Sequence, residues 1–430
     1  MPAQGERGEI AVAIDVSASA AAAGRQRLKN AAPRHHHLTA RPGMIRSWAL
    51  ALAAAVILGS LLFSGCSGGN NGTSPGGKNP GAASGSLQTY TNGTVIEPDD
   101  PNIRYIGHWD KSHLAEQAIT VNSGSRIICS FTGNTISGLF SNQGISNPAQ
   151  IYVSIDGGQP TLFKLGGEME NFTPVKLQGD HHTLQIAVKD VDERANRWVP
   201  PLASAVVFKG FVLSAGSKTV PLPPASSLKM EFYGDSITQG VRAVSMAVGP
   251  DGSDGTKDYA FLTAMAFGAV HNQVGFGRQG VIRPGNGKVP PAPQSFGWNF
   301  QGSRADPSFI PKVVVVNQGT NDSIYPSSQF LPAYQGYIAE IRKAYPDATI
   351  FCMRPFGGFH EKDVRAAVRA LKDRKIIYVD TTGWLGKADY TDGIHPTAKG
   401  HVKAAQKLVE VIRRHTGLKI VRPLDKPWWR

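Results

Sequence analysis

From about residue 225 onward, short apolar runs alternate with stretches in which apolar residues recur every three or four positions. The runs predict strands over 229–234, 270–275, 312–317, 348–353 and 375–379. Val313-Val314-Val315-Val316 is continuously apolar, as a strand covered on both faces should be. Between the runs, 329–344 carries Leu331, Tyr334, Ile338 and Ile341 at helical spacing, with Pro332 tolerable only in a first turn. Residues 364–371 and 398–414 read the same way. This alternation predicts an α/β domain over 225–418, with helices on both faces of a parallel sheet. Residues 251–257 and 284–298 break the pattern; the second stretch is long, and long loops in a compact domain are often site walls.

Upstream, over 87–224, the period is two. Arg126-Ile127-Ile128-Cys129-Ser130-Phe131, Ile151-Tyr152-Val153-Ser154-Ile155 and Thr183-Leu184-Gln185-Ile186-Ala187-Val188 are short alternating runs. Turn signals such as Asp156-Gly157-Gly158, Gly166-Gly167 and Gly179-Asp180 separate them. The pattern predicts an antiparallel β-sandwich. Pro221, Pro223 and Pro224 make a stiff junction between this region and the α/β domain.

The first 86 residues show neither period. Residues 1–43 are Ala- and Arg-rich and read as a non-native or disordered leader, in which His35-His36-His37 lacks the partners a metal site needs. Met44 reads as a second start. It is followed by Arg46 and an apolar run from Trp48 to Phe63, the charged and apolar regions of an export signal over 44–65. The run is shorter than the roughly 20 residues of a spanning helix. It ends in Leu62-Phe63-Ser64-Gly65-Cys66, which resembles a bacterial lipobox and implies cleavage before Cys66 and lipidation of its thiol. Phe63 departs from the usual aliphatic residue. A plain signal peptide or an uncleaved anchor is the alternative. Residues 66–86 are Gly/Ser/Asn/Pro-rich, a flexible tether suited to holding a domain off a membrane surface.

Composition adds limits. The chain of 430 residues is too long for one ordinary core. Its formal charge is +13, spread out and heaviest toward a basic tail over 419–430. A solvated helix face explains this better than an acidic partner, and no aromatic-basic cluster of the nucleic-acid kind occurs. Three cysteines form no disulfide framework. Cys129 and Cys352 lie in apolar runs and read as small buried hydrophobes.

The candidate chemistry is organised around Gly234-Asp235-Ser236-Ile237-Thr238-Gln239-Gly240, at the end of the first strand of the α/β domain. Ser236 there is placed at the carboxyl edge of the sheet, where open α/β sheets carry their sites. It also lies near the start of a helix, whose amides favour developing negative charge. Ester hydrolysis needs a nucleophile, a base and oxyanion donors. Ser236 can be the nucleophile and His395 the base. Asp392, three residues before His395, can reach the ring nitrogen facing away from the serine and fix its tautomer. The oxyanion donors would be the Ser236 amide, an amide of the glycine loop over 275–280, and the Asn321 side chain. Taken singly, each of these residues is equally a cap or a turn former.

Together, Gly-Asp-Ser, a loop glycine, Gly319-Thr320-Asn321-Asp322 and Asp392-Gly393-Ile394-His395 resemble the SGNH (GDSL-like) hydrolase pattern, in the family's order. The resemblance implies a flavodoxin-like parallel-sheet domain with Ser236 as nucleophile, His395 as base, Asp392 as its partner and Asn321 as oxyanion donor. Gly280 looks closest to the family's second block, and Gly277 is the alternative. Tyr105-Ile106-Gly107-His108-Trp109-Asp110, Ser154-Ile155-Asp156-Gly157-Gly158, His182 and Lys189 resemble the front domain of carbohydrate esterase family two. That family joins a jelly-roll-like sandwich to an SGNH domain and deacetylates polysaccharides. His108 stands where the family commonly has an arginine, which bears on substrate contacts there.

The reading is an exported, lipid-anchored serine esterase of the bacterial cell envelope, on its periplasmic or extracellular face. It removes O-acetyl groups from a polysaccharide, with no metal or organic cofactor. Its partners are the glycan and, through Cys66, a membrane. Two alternatives remain. One is an SGNH lysophospholipase, thioesterase or peptidoglycan O-acetylesterase. The other is a non-catalytic glycan-binding lipoprotein.

Overall fold

The period-two stretches fold as two antiparallel sheets, and the alternating stretch as one parallel sheet. The structure, a computed structural model, describes residues 92–429. The leader, signal, Cys66 and tether all lie outside the described residues. The described residues fall within one compact unit.

In chain order the front strands are β1 (Gly93–Ile96), β2 (Ile103–Ile106), β3 (Ala118–Thr120), β4 (Arg126–Thr132), β5 (Ile136–Phe140) and β6 (Gln150–Ile155). They continue as β7 (Thr161–Lys164), β8 (Met169–Asn171), β9 (His181–Asp190), β10 (Val206–Ser214) and β11 (Thr219–Val220). One sheet runs β1-β10-β5-β8 with β3 also on β10, and the other runs β11-β4-β9-β6-β7 with β2 also on β4. Alternation fills the space between them. Ile127 opposes Ile186 and Cys129 opposes Leu184 across β4 and β9, and all four are buried in one core with Phe208 and Phe211 from β10. Truncating Leu184 to Ala would cost about 2–5 kcal/mol.

The α/β half comprises β12 (Lys229–Gly234), α1 (Ser236–Gln239), α2 (Tyr259–Ala266), β13 (Val270–Gly275) and α3 (Ala292–Ser295). A small hairpin comes next, β14 (Trp298–Phe300) with β15 (Ser303–Arg304). Then come β16 (Val313–Asn317), α4 (Ser327–Ala344), β17 (Thr349–Met353), α5 (Glu361–Leu371), β18 (Ile376–Val379) and α6 (Ala398–Thr416). The sheet order β13-β12-β16-β17-β18, all parallel, is the flavodoxin-like order. Val313 and Val315 face one core while Val314 and Val316 face the other, which is why that run has no polar position. The strand order reverses between β12 and β16, so the segments leaving these two strands flank the crevice.

Helix α4 begins two residues before the expected start, so Pro332 lies beyond the first turn. Both Pro332 and Ser328, whose carbonyl loses a partner to the ring, are exposed, and water can satisfy that carbonyl. Residues 251–257 pack against β6 and β9. Gln150 Nε2 donates to Asp251 Oδ1 at 2.5 Å, Tyr152 Oη to Asp254 Oδ2 at 2.9 Å and the Gly255 amide to Lys189 O at 2.8 Å. Lys189 Nζ also donates to Ser253 O at 2.8 Å. His108 is likewise an interior tie, not a substrate contact. It is buried, with Nε2 3.0 Å from Glu231 Oε1 on β12, and this accounts for an acidic residue in the middle of a buried strand.

Candidate active site

The turn after β12 is built by close approach. A Cβ on Gly234 would lie 2.0 Å from Thr238 Oγ1, so only glycine lets the chain double back there. Asp235 Oδ1 accepts the Ile237 amide at 2.9 Å and caps α1. Gly240, at φ 84°, ends that helix after a single turn. The sequence pattern set Ser236 at the head of a helix with a useful dipole. A one-turn helix supplies only its own first amides, because a macrodipole needs several aligned turns.

His395 arrives from the segment between β18 and α6. Asp392 Oδ1 accepts the amides of Ile394 at 3.0 Å and His395 at 2.8 Å, which folds 392–395 into a tight turn. That turn presents His395 Nδ1 2.7 Å from Asp392 Oδ2, and His395 Nε2 2.9 Å from Ser236 Oγ. Ser236 and His395 are 159 positions apart in the chain, and the fold joins them.

Asn321 lies in the segment after β16, with Asp322 beside it. Asn321 Nδ2 donates to Gln279 O at 3.0 Å and Asp235 Oδ2 at 3.2 Å, so it bridges the glycine loop and the serine turn. Asp322 accepts the amides of Val281, Ile282 and Arg283 at 2.7–3.1 Å. A Cβ on Gly280 would sit 2.3 Å from that carboxylate, so glycine there serves the approach of Asp322. The Gly280 amide donates to Arg283 O at 2.9 Å, so it is not free for an oxyanion, contrary to the expectation from sequence. The Gly277 amide donates to Gln239 Oε1 at 3.1 Å and the Gln279 amide to Phe276 O at 3.1 Å. Among the described residues, the amides of Ser236 and Arg278 have no protein acceptor.

Residues 232–403 match the GDSL-like lipase/acylhydrolase family. The α/β half of this chain is a GDSL-like hydrolase domain. Over 346 residues, 75% of its length, the chain is 28% identical to the cellulase/esterase CelE of Acetivibrio thermocellus, and spans about 40% of the length of that relative. It is 23% identical over 355 residues to an acetylxylan esterase/glucomannan deacetylase of Cellvibrio japonicus, covering 74% of this chain and 90% of that one. Among solved structures, it resembles a family two carbohydrate esterase from Clostridium thermocellum in complex with cellohexaose. That match has 26% identity and a TM-score of 0.62, over 74% of this chain and 99% of the other.

The GDSL-like domain holds features that sequence reasoning missed. Arg242 Nη1 lies 2.5 Å from Asp392 Oδ2, so the carboxylate that orients His395 is also held by a guanidinium. No motif announces it, since its partner lies 150 positions away. Burial alone would raise the Asp392 carboxyl. Hydrogen bonds from the His395 amide and ring, and from Arg242, outweigh that and hold it well below the usual carboxylate range. Burial pushes Asp235 the other way, up to about 7. The irregular stretch 284–298 backs the glycine loop of the GDSL-like domain. The Asn286 amide donates to Gly277 O at 2.8 Å, and Gln279 Nε2 donates to Pro290 O at 2.7 Å.

Proposed function

We propose that the protein is an exported, lipid-anchored serine esterase that removes O-acetyl groups from a polysaccharide through an acyl-enzyme. The observation that carries this reading is the contact chain Ser236 Oγ, His395, Asp392, at 2.9 Å and 2.7 Å. In the proposed scheme Ser236 Oγ attacks the acetyl carbonyl carbon while its proton passes to His395 Nε2. Asp392 on Nδ1 keeps the accepting nitrogen toward the serine and stabilises the imidazolium. Collapse of the tetrahedral species expels the sugar oxygen, which takes that proton. Water then repeats the sequence on the acyl-serine and releases acetate. The oxyanion donors in this scheme are the amides of Ser236 and Arg278 with Asn321 Nδ2, and a backbone amide serves regardless of its side chain. Asn321 would tilt from its apo partners toward the developing charge, as catalytic hydrogen bonds commonly tighten only on the way to the transition state.

The glycan substrate rests on kinship: CelE is a cellulase/esterase, the Cellvibrio relative an acetylxylan esterase, and the Clostridium structure holds cellohexaose. The front domain is read with them as a jelly-roll-like sandwich, and the anchor rests on the sequence ending at Cys66. One observation favours a second reading, a lipid or thioester hydrolase. Ile394, between Asp392 and His395, is 48% exposed, as an acyl-chain contact would be.

Acetate release from p-nitrophenyl acetate and from acetylated xylan, compared between the protein and its Ser236→Ala variant, tests the scheme. Turnover of both substrates, abolished in the variant, is the expected result. Turnover of the small ester alone rejects acetylated xylan as the glycan, and a steep rise in rate with acyl-chain length moves the reading to lipids. No turnover by the folded protein leaves a glycan-binding lipoprotein. Palmitate incorporation lost in Cys66→Ser is expected of the anchor, and its retention would refute it.

A further inference from the structure

The front domain reaches the glycine loop through fully buried side chains, Arg197 among them. Arg197 lies in the loop between β9 and β10 and is 0% exposed, as are Asp190 at the end of β9 and Gln239 at the end of α1. Gln239 Oε1 accepts from Arg197 Nη2 at 2.7 Å and from the Gly277 amide at 3.1 Å. Gln239 Nε2 donates to Asp190 Oδ1 at 2.8 Å and Val191 O at 3.1 Å. One glutamine amide is therefore saturated, on one side by the front domain and on the other by the glycine loop. The guanidinium lies over the Phe276 ring at 4.9 Å, and Trp198 meets the same ring edge-on at 5.9 Å. The Arg197 amide also donates to Gly287 O at 3.1 Å, next to Asn286, whose amide holds Gly277 O.

We propose that Arg197 is a positioning residue: acting through Gln239, it fixes the Gly277–Arg278 peptide so that the Arg278 amide faces the oxyanion. This rests on the function proposed above. A trans peptide sets its carbonyl and its amide on opposite sides. With Gly277 N held by Gln239 and Gly277 O held by Asn286, the next amide, that of Arg278, has one direction left to point. Arg278 adopts φ 61°, a left-handed conformation uncommon for a residue other than glycine. The device is costly. Arg197 Nε and Nη1 and Asp190 Oδ2 are buried without partners among the described residues. A well-packed apolar pair would fill such a place at no greater cost, so a polar pair retained there points to a role beyond packing.

The test uses the full chain. Arg197→Met keeps the volume and removes the donor. The double variant Asp190→Asn/Arg197→Met also replaces the buried acid, so that no unpaired carboxyl is left to unfold the protein. With p-nitrophenyl acetate, both should lose about tenfold to a hundredfold in kcat with KM within about twofold, and Arg197→Lys should recover part of the loss. Tyr152→Phe, at the same interface but bonded to Asp254, controls for general loosening and should leave kcat within about twofold. A readout independent of turnover is amide hydrogen exchange at Gly277, expected to speed up at least about tenfold in Arg197→Met, with Val274 on β13 unchanged. Parental kcat and exchange in a folded Arg197→Met would overturn the proposal. So would an equal loss in Tyr152→Phe. A parent without ester turnover would sink the esterase reading instead, leaving the clamp to be judged by exchange at Gly277.

Discussion

The GDSL-like domain carries two His–Asp pairs at the same spacing of three residues, His395 with Asp392 and His360 with Asp363. Each has Nδ1 2.7 Å from a carboxylate Oδ2, and their side chains are similarly buried, 14% and 10% exposed in the first, 7% and 11% in the second. They differ at Nε2. His395 Nε2 faces the hydroxyl of Ser236. His360 Nε2 donates to Asp322 O at 2.8 Å, and its ring stacks on Phe330 at 3.8 Å. Both ring nitrogens of His360 therefore face acceptors, and neither faces a hydroxyl whose proton it could take. The second pair even has its serine, but Ser327 Oγ donates to Asp363 at 2.8 Å instead of to the ring. Pairing with a carboxylate does not make a histidine a base. The atom opposite the other nitrogen does.

The largest expected contrast is between these two pairs. Ser236→Ala or His395→Ala should cut kcat/KM by about 10⁴-fold or more, and Asp392→Asn by about 10⁴-fold, on p-nitrophenyl acetate. Asp363→Asn should change it by less than about tenfold; a loss as deep as that of Asp392→Asn would erase the distinction between the two pairs. Next in size, Asn321→Ala should lower kcat by about 10²–10³-fold with little effect on KM, which steady-state kinetics would read. A rise in KM alone would assign Asn321 to substrate binding.

His360→Ala should act on stability. It removes a buried donor from Asp322 O and should cost about 1–3 kcal/mol in urea unfolding, with kcat within about tenfold of the parent. An unaltered midpoint would show the stacked ring to be dispensable.

An effect of at most similar size is expected in the pH dependence of stability. Asp392 is held below its ordinary value, so its contribution is complete above about pH 4 and fades only as pH falls further. Burial raises Asp190 to about 7, so the folded state keeps a proton that the unfolded chain releases near pH 4. Its contribution is full below about pH 4 and is lost as pH rises toward 7. Between pH 5 and 7 the parent should therefore lose up to about 1–3 kcal/mol more than Asp190→Asn. Equal slopes in denaturant titrations at the two pH values would place the Asp190 proton elsewhere.

Much of this molecule is legible in its residues. The all-valine run of β16 has no polar position because both of its faces meet a core, so the parallel sheet can be read at once. Ser236, His395, Asp392 and Asn321 are legible because their chemistry and order narrow their roles. The Gly280 assignment fails for a physical reason. A glycine signals only that something approaches closely, and the group that approaches Gly280 is the Asp322 carboxylate rather than a substrate. His108 and residues 251–257 are placed by partners distant in the chain, Glu231 for the first and Gln150, Tyr152 and Lys189 for the second, which the local pattern does not carry.

The sequence by itself determined the strand and helix alternation, the period-two front region and the set of groups able to do ester chemistry. These are set by side-chain polarity and local spacing, which every segment carries within itself. Only the tertiary structure decided which amide of the glycine loop is left unpaired, that Arg242 grips Asp392, and that Arg197 reaches through Gln239 to Gly277. Those outcomes depend on the direction of backbone groups and on partners tens to more than a hundred positions apart, and neither leaves a mark in the local pattern of residues.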